Sequence, residues 1–378
     1  MVIAKNSGKP AVMDVENQNI KNFIKGIIFP ENGIDFKKRW NYMKMQWNSK
    51  VQKSILLSNY PISITLGTGP ICNLRCKLCP VGQKRSGRKI GFLTKEVVER
   101  VIEELGPYLF GLELYNWGEP LLNKNIFEYI RLLREADIQV SVSTNLSIKD
   151  INDNICREMI NSGLDSLIVS LDGNSQESVE QYQIGSNYER VISNLKKIAD
   201  YRNLIGSNHP MLRWRFVVTR FNENEIKNAL KICKEVGFDY FELVKIKPDM
   251  GNELLWDTKT RLLNIEPYLP KDERLSIYNY TTREIETFKH NFCSYLWSST
   301  TINWNGSVSP CPTVWEEHFD FGNILETPFK EIWNGKKYQL ARKIIRSNKP
   351  IEVPDLICSI CKKNNAIFFN PLISLYRI

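Results

Sequence analysis

The sequence predicts an α/β protein with a parallel β-sheet, followed by a smaller C-terminal region that carries its own cysteine group. Apolar runs of strand length alternate with amphipathic helical stretches between residues 62 and 246. Such alternation is typical of a parallel sheet covered by helices. After about residue 250 the alternation stops, and four cysteines occur between residues 293 and 361.

The strand candidates are short and rich in apolar residues: Ile62 to Leu66, Leu112 to Tyr115, Val140 to Ser143, Leu167 to Leu171, Trp214 to Val218 and Phe241 to Ile246. The helix candidates have apolar residues spaced three and four apart: Lys95 to Leu105, Ile126 to Glu135, Asp150 to Ser162, Tyr188 to Tyr201 and Glu223 to Val236. In parallel α/β folds, ligands bind at the carboxyl ends of the strands. Polar residues after each strand are therefore site candidates.

The length of 378 residues exceeds one typical domain, and a hydrophobic content of 42% argues against extensive disorder. We expect four parts: a helical extension (1–60), the α/β core (61–250), a linker (251–290) and the C-terminal domain (291–378). Within the extension, Asn19 to Ile28 and Phe36 to Gln46 have helical patterns.

The composition limits the cellular location and the partners. No apolar run reaches membrane-spanning length, and the first residues lack the apolar core of a signal peptide. We therefore expect a cytoplasmic protein without a membrane partner, in which nine cysteines favour metal binding over disulfides. The net charge of +9 is dispersed, which disfavours specific nucleic-acid recognition. The basic run from Lys84 to Lys89 is either a solvated surface or a site for an anionic ligand.

Three cysteines, Cys72, Cys76 and Cys79, follow the first predicted strand within one short loop. Thiolates are soft ligands that suit iron-sulfur or zinc chemistry, and three of them leave one metal position open. With Leu78 and Pro80 beside the third cysteine, this loop resembles that of the radical S-adenosylmethionine (SAM) superfamily. The resemblance implies a partial (β/α)6 barrel and a [4Fe-4S] cluster on these cysteines, whose open iron binds SAM.

The resemblance extends to later strand ends. Gly118, Glu119 and Pro120 follow the second strand, where the family binds the SAM amine, although Trp117 replaces a glycine. The resemblance also implies SAM contacts from Leu78, Ser143, Asn145 and Ser170, and a contact to SAM or substrate from Asp172. Taken singly, each polar residue also suits ordinary capping or turn chemistry. There are two further departures from the family pattern. Leu146 replaces a usual glycine, and Gln183 stands two residues before Gly185, where the family often has an arginine. Arg215 and Arg220 are possible substitutes for that arginine.

The C-terminal cysteines are Cys293, Cys311, Cys358 and Cys361. A predicted hairpin with Asn305-Gly306 as its turn lies between the first two. This region resembles the SPASM domain, or its shortened twitch form, which implies one auxiliary [4Fe-4S] cluster with four protein ligands. Zinc is the alternative for a four-cysteine site. Cys156 and Cys233 fall on predicted helices as core thiols, and the three histidines have no metal-pair spacing.

The resemblance implies reductive cleavage of SAM to a 5'-deoxyadenosyl radical, with an electron donor such as flavodoxin or ferredoxin. The leading hypothesis is oxidation or related remodelling of a small hydroxylated metabolite, such as a sugar or aminocyclitol, with the second cluster as electron acceptor. A second hypothesis is maturation of a ribosomally made precursor peptide. A third is a binding protein in which metal is only structural. Candidate substrate-pocket residues are Glu242, Lys245, Asp249 and Trp304.

Overall fold

A computed structural model describes residues 35–246, 265–282, 284–285, 293–347, 351–363 and 372–378. The predicted helix from Asn19 to Ile28, the pocket candidate Asp249 and half of the predicted linker lie outside these residues. The described helices are α1 (Phe36–Gln46), α2 (Lys95–Leu105), α3 (Ile126–Glu135), α4 (Asp153–Asn161), α5 (Gln176–Tyr182), α6 (Tyr188–Leu204), α7 (Ile226–Val236), α8 (Tyr295–Ser298), α9 (Phe329–Trp333), α10 (Lys336–Arg346) and α11 (Ile357–Lys363).

The core of the fold is a run of six parallel strands in sequential order, as predicted. They are β1 (Ser63–Leu66), β2 (Gly111–Glu113), β3 (Gln139–Thr144), β4 (Ser166–Ser170), β5 (Met211–Val218) and β6 (Tyr240–Lys245). A helix lies between each pair of neighbouring strands, which confirms the partial (β/α)6 barrel. The division of the chain at residues 60, 250 and 290 stays a prediction.

The strands have one apolar and one polar face. In β5, Trp214 and Phe216 are fully buried in the main core with the helices, while Arg213 and Arg215 are partly exposed on the opposite face. Because side chains alternate along a strand, the two arginines share the inner face. The inner surface of the barrel, called the lumen below, is therefore polar.

The C-terminal region extends the barrel sheet at both edges, which the sequence did not predict. Strands β9 (Ser299–Ile302) and β10 (Ser307–Ser309) form the predicted hairpin, with Gly306 at φ +82° in its turn. Strand β9 pairs in parallel with β1, β11 (Gly322–Asn323) pairs with β10, and β12 (Leu372–Arg377) pairs with β6. A separate two-stranded ladder joins β7 (Tyr278–Asn279) to β8 (Glu284–Ile285).

Helix α1 matches its predicted bounds and packs against the barrel. Asp35 caps its first turn by accepting a hydrogen bond from the Lys37 amide. The buried Lys38 ammonium pairs with Asp137 at the start of β3 (2.8 Å). Asn41 exchanges two hydrogen bonds with the backbone of Tyr60. Polar side chains therefore attach this helix beside the amino ends of the strands.

Candidate functional site

The cysteine loop follows β1 and is held by two neighbouring segments. The amides of Arg75 and Lys77 donate to Ile184 O (2.9 Å) and Tyr182 O (3.2 Å) at the end of α5. From the exit of β3, the Asn145 side chain donates to Asn73 Oδ1 (3.0 Å) and contacts Cys72 Sγ (3.7 Å). The carboxyl ends of separate strands thus converge on this loop.

The three thiols of this loop lie near one another, and their mutual repulsion contributes to a raised pKa of Cys72 and of Cys76. Burial raises the pKa of Cys72 to about 11, with smaller contributions from Glu119 and Cys79. Burial also raises the pKa of Cys76 well above its usual value, with added repulsion from Cys79 and Cys72. Three thiolates are costly here unless a cationic centre neutralises them. The donor set fits an iron-sulfur cluster that exchanges thiol protons for iron.

The Glu119 side chain is only 2% exposed, yet its carboxylate accepts hydrogen bonds from three donors. Its oxygens accept from Thr144 Oγ1 (2.7 Å), Asn145 N (2.7 Å) and Leu121 N (3.0 Å). Burial raises its pKa, and these three hydrogen bonds oppose that rise. A carboxylate has about four lone-pair sites, so one position is left for a further donor. Pro120 begins the short turn Pro120–Leu122 that Glu119 caps.

The other predicted SAM contacts occupy neighbouring strand ends. The hydroxyls of Ser143 and Ser170 lie 3.2 Å apart. Asp172 Oδ1 accepts from Val217 N (2.9 Å), and burial raises the pKa of Asp172 to about 7. Leu78 lies in a small apolar cluster with Ile246, Ile265, Leu269 and Ile277. Their roles as SAM contacts stay predictions.

Two of the three departures from the family pattern, Gln183 and Leu146, have local explanations. Gln183 is buried and accepts from Asp172 N (2.9 Å) while donating to Ser170 O (3.0 Å). It therefore fixes the carboxyl end of β4. Leu146 has φ +52°, so it keeps a left-handed conformation that glycine would adopt without strain. Its side chain is fully buried in the main core, and that packing offsets the strain.

A network of charged side chains lines the lumen. Glu242 of β6 forms ion pairs with Arg213 and with Arg215 Nε (2.9 Å). Arg215 also hydrogen-bonds Tyr115, whose hydroxyl donates to Glu113 Oε1 (2.8 Å). The pocket candidate Glu242 is thus a lumen residue whose charge is balanced by two arginines.

A cavity of about 440 Å³ opens at the amino ends of β1, β2, β3 and β9. Its polar lining consists of side-chain hydroxyls, one amide and one carboxylate: Ser63, Thr65, Glu113, Gln139, Ser141, Tyr295, Ser298 and Ser299. Thr65 Oγ1 donates to Glu113 Oε2 (3.3 Å) and lies 3.5 Å from the Tyr295 hydroxyl. The cavity continues the charged network of the lumen.

The C-terminal cysteines also form a group. The Cys358 thiol interacts electrostatically with Cys311, Cys361 and Cys293, and burial raises its pKa well above the usual value. Burial likewise raises the pKa of Cys293 to about 12. Cys293 precedes the amino end of β9, whereas Cys72 follows the carboxyl end of its parallel neighbour β1. The two groups therefore lie toward opposite ends of this strand pair.

The cavity is connected to this second group through Tyr295. The Tyr295 hydroxyl interacts with Thr65 and Ser299, and also electrostatically with Glu113 and Cys311. In the described part of the chain, no three His, Cys, Asp or Glu side chains are close enough to share a single metal ion. Within each cysteine group the thiols nevertheless interact electrostatically.

The basic run from Lys84 to Lys89 contains one buried residue, Arg88, whereas both lysines are exposed as a solvated surface would require. Arg88 is 7% exposed and makes a two-point contact with the Asp320 carboxylate (both 3.1 Å). Its Nε also donates to Trp315 O (2.7 Å). Nearby, Glu317 N donates to Gly87 O (2.8 Å) and Lys89 N donates to the Glu317 side chain. This segment joins the barrel to the C-terminal region.

Other sequence predictions have mixed outcomes. Cys156 and Cys233 are fully buried in the main core, as predicted. Glu113, Tyr115 and Tyr295 were missed as site residues. The period-two pattern of Glu113-x-Tyr115 and Arg213-x-Arg215 places each pair on one strand face, and this signal predicts a charged lumen. No comparable local pattern marks Tyr295. Among the described residues, no helix has both the length and the apolarity to cross a bilayer.

Two family models match the chain. A model described as the radical SAM superfamily matches residues 66–214, and SPASM, described as an iron-sulfur cluster-binding domain, matches residues 293–362. The first range includes the cysteine loop and the predicted SAM contacts. The second includes all four C-terminal cysteines.

Individual relatives are distant. The chain is 22% identical to the tungsten-containing aldehyde ferredoxin oxidoreductase cofactor-modifying protein of Pyrococcus furiosus, over 73% of this chain and 82% of the relative. It is 24% identical to the AdoMet-dependent heme synthase of Methanosarcina barkeri, over 82% and 90%. Streptococcus suis SuiB bound to precursor peptide SuiA has a TM-score of 0.58 at 16% identity, covering 93% of this chain and 82% of SuiB. At 16% identity, the similarity to SuiB is evidence for the fold alone.

Proposed function

This chain belongs to the radical SAM superfamily and carries a C-terminal SPASM domain, and from this premise we propose that it oxidises a small hydroxylated metabolite, such as a sugar or aminocyclitol. The family implies a [4Fe-4S] cluster, SAM and auxiliary iron-sulfur chemistry. When bound, the cluster and SAM supply a 5'-deoxyadenosyl radical that removes a hydrogen atom from carbon. The hydroxyl-lined cavity is the observation that carries the choice of substrate. Because it opens at the amino ends of the strands, the proposal requires the reacting carbon of the ligand to extend through the lumen toward SAM at the carboxyl ends.

The cavity suits a small, polar ligand. Its volume of about 440 Å³ lies within the usual range for small-molecule sites, about 300–1,000 Å³. Six hydroxyl-bearing side chains lie in its wall. Three of them, Thr65, Ser298 and Ser299, already donate within the protein, and their lone pairs can still accept hydrogen bonds from a ligand. An apolar ligand would displace water from these oxygens without replacing its hydrogen bonds, which costs binding free energy. A ligand with several hydroxyl groups would pair with them instead.

Glu113 is the proposed proton acceptor. It is an exposed carboxylate in the cavity wall, held at both oxygens by Tyr115 and Thr65. Removing a hydrogen atom from a carbinol carbon leaves a radical that must lose one proton and one electron to become a carbonyl. We assign the proton to Glu113. The Tyr295 hydroxyl interacts electrostatically with both Glu113 and Cys311, which supports an electron acceptor held by the C-terminal cysteines near this cavity.

The ligand assignments follow the cysteine groups. We propose that Cys72, Cys76 and Cys79 hold the SAM cluster, and that Cys293, Cys311, Cys358 and Cys361 hold one auxiliary [4Fe-4S] cluster. SAM would contact the strand-end set of Leu78, Gly118, Glu119, Pro120, Ser143, Asn145, Ser170 and Asp172. A flavodoxin- or ferredoxin-type donor in a reducing cytoplasm would supply the electron for SAM cleavage.

The test uses protein that is purified and reconstituted without oxygen, with SAM and a chemical reductant. Neutral sugars, amino sugars and aminocyclitols are added singly, and 5'-deoxyadenosine and product mass are measured. We expect one compound to stimulate deoxyadenosine formation and to yield a product that has two hydrogens fewer than the compound itself. A substrate deuterated at the oxidised carbon should transfer deuterium to deoxyadenosine. Stimulation without loss of two hydrogens would contradict oxidation.

Peptide maturation is the second candidate function. SuiB, which has a similar fold, is known in complex with a precursor peptide, and the cavity opening can admit one side chain of an extended peptide. Peptides with serine, threonine or lysine side chains therefore join the compound panel. Stimulation by peptides alone would replace the metabolite proposal. If no SAM is cleaved and Glu119→Gln changes nothing, the chain is a metal-stabilised binding protein.

A further inference from the structure

Three glycines from separate loops form a column between the predicted SAM turn and the C-terminal hairpin. Gly118 precedes Glu119, Gly69 precedes the cysteine loop, and Gly91 follows the basic run. A Cβ on Gly118 would overlap the carbonyl oxygen of Gly69, and a Cβ on Gly69 would overlap that of Gly91. A Cβ on Gly91 would overlap the six-membered ring of Trp304. Each glycine of the column therefore packs directly against the next, and Gly91 packs against the Trp304 ring.

The column ends on a residue that is fixed by the sheet. Trp304 lies in the turn between β9 and β10, two residues after Ile302, whose carbonyl accepts from Gly67 N (2.8 Å). This hydrogen bond continues the pairing of β9 with β1. The indole ring is thus held by the hairpin on one side and meets Gly91 on the other. Packed protein interiors have low compressibility, so a displacement of the ring moves the layers in contact with it.

At its other end the column reaches the SAM turn. Gly69 O accepts from Ile71 N (2.9 Å), and Ile71 O accepts from Glu119 N (2.8 Å). The carbonyl that Gly118 touches therefore belongs to the segment that also binds the Glu119 amide. Gly118 and Gly69 both have positive φ, +96° and +117°. Residues other than glycine are strained at such φ angles, so both positions favour glycine, and its missing side chain lets the neighbouring backbone approach closely.

We propose that Trp304 is a positioning residue for SAM, because its ring sets the column that places the Gly118-Glu119 turn. The inference relies on the family's use of this turn for SAM and is independent of the substrate. Trp304 was predicted to be a pocket residue, and its contact with Gly91 assigns it a different task. The SPASM domain thereby contributes to SAM binding through packing.

The test measures SAM affinity by equilibrium dialysis on full-length, reconstituted protein at matched iron content. Trp304→Ala should raise the Kd for SAM about tenfold or more, because small misplacements of a binding group are costly. Trp304→Phe keeps a six-membered ring and should stay close to wild type. Trp40→Ala, which removes a 48% exposed indole of α1, is the matched control. The EPR change that SAM causes in the reduced cluster should weaken in parallel with affinity.

Gly91 allows a sharper test, because its own φ is outside the positive region and the nearest atoms to an added Cβ all belong to Trp304. Gly91→Ala should weaken SAM binding in the wild-type background. It should have little further effect beside Trp304→Ala, where the ring is gone. Equal effects of Gly91→Ala in both backgrounds would overturn the proposal, since contacting residues must be non-additive.

Two other results would also overturn it. One is a Trp304→Ala protein whose Kd for SAM stays within about twofold of wild type while its melting temperature falls. The other is a Trp304→Phe protein as impaired as Trp304→Ala, because the column needs only the ring. If no compound of the metabolite panel stimulates deoxyadenosine formation, the proposed function is wrong. The role of Trp304 is tested separately, because the Kd for SAM is measured without substrate.

Discussion

The two cysteine groups are assembled in opposite ways. Cys72, Cys76 and Cys79 lie within eight residues of one loop, whereas the C-terminal group combines three segments between residues 293 and 361. The first group needs little more than a strand end and its neighbours. The second requires the hairpin of β9 and β10, helix α11 and the loops between them. A local site can be read from spacing, but an assembled site depends on the tertiary fold.

The largest expected effect separates the two groups by function. A Cys72/Cys76/Cys79→Ala variant should abolish deoxyadenosine formation, because SAM loses its iron. Iron should fall from about eight to about four per chain if each group holds one [4Fe-4S] cluster. A Cys358/Cys361→Ala variant should lose a similar amount of iron but still cleave SAM without completing substrate oxidation. Iron and sulfide analysis with deoxyadenosine quantification checks both.

The contrary outcomes are specific. About four irons in the wild type that vanish in the triple variant, together with bound zinc, would make the C-terminal site structural. The proposed electron-acceptor role would then be wrong. Complete substrate oxidation by the Cys358/Cys361→Ala variant would contradict that role as well.

The next effect concerns the attachment of the assembled region to the barrel. Arg88→Met should lower the free energy of unfolding by about 3–5 kcal/mol, because it leaves the Asp320 carboxylate buried without its partner. Lys84→Met, an exposed change in the same basic run, is the matched control. Denaturant unfolding followed by tryptophan fluorescence measures both. Equal midpoints for the two variants would show that the Arg88 contact is not needed for attachment.

This contrast also explains how far the sequence could be interpreted. The six strands and the cysteine loop follow from local apolar periodicity and spacing, so their prediction succeeded. The parallel pairing of β9 with β1 did not, because it joins residues more than 200 positions apart without a local signal. Gln183 was recognised as a departure, yet its bridge between Asp172 N and Ser170 O depends on the fold around it.

A third prediction tests the cavity at the amino ends of the strands. Glu113→Gln keeps the side-chain shape but removes the proposed proton acceptor. We expect kcat/KM for the stimulating metabolite to fall about a hundredfold, the lower end of what a general base contributes. The Kd for SAM should not change. Glu103→Gln on α2, with a 69% exposed side chain, is the control. Unchanged turnover in Glu113→Gln would remove Glu113 from the mechanism.

The smallest expected effect concerns Gln183, which fixes the carboxyl end of β4 near the cysteine loop. Gln183→Ala should lower the free energy of unfolding by about 1–3 kcal/mol, because it removes the hydrogen-bond partner of the buried Asp172 amide and of the Ser170 carbonyl. Gln52→Ala, an exposed change, should lie near wild type. Iron content of Gln183→Ala should be preserved, since the cysteine loop donates its own hydrogen bonds to the carbonyls of Tyr182 and Ile184. Loss of iron in this variant would mean that even the local group depends on the end of β4, and the contrast between the two groups would narrow.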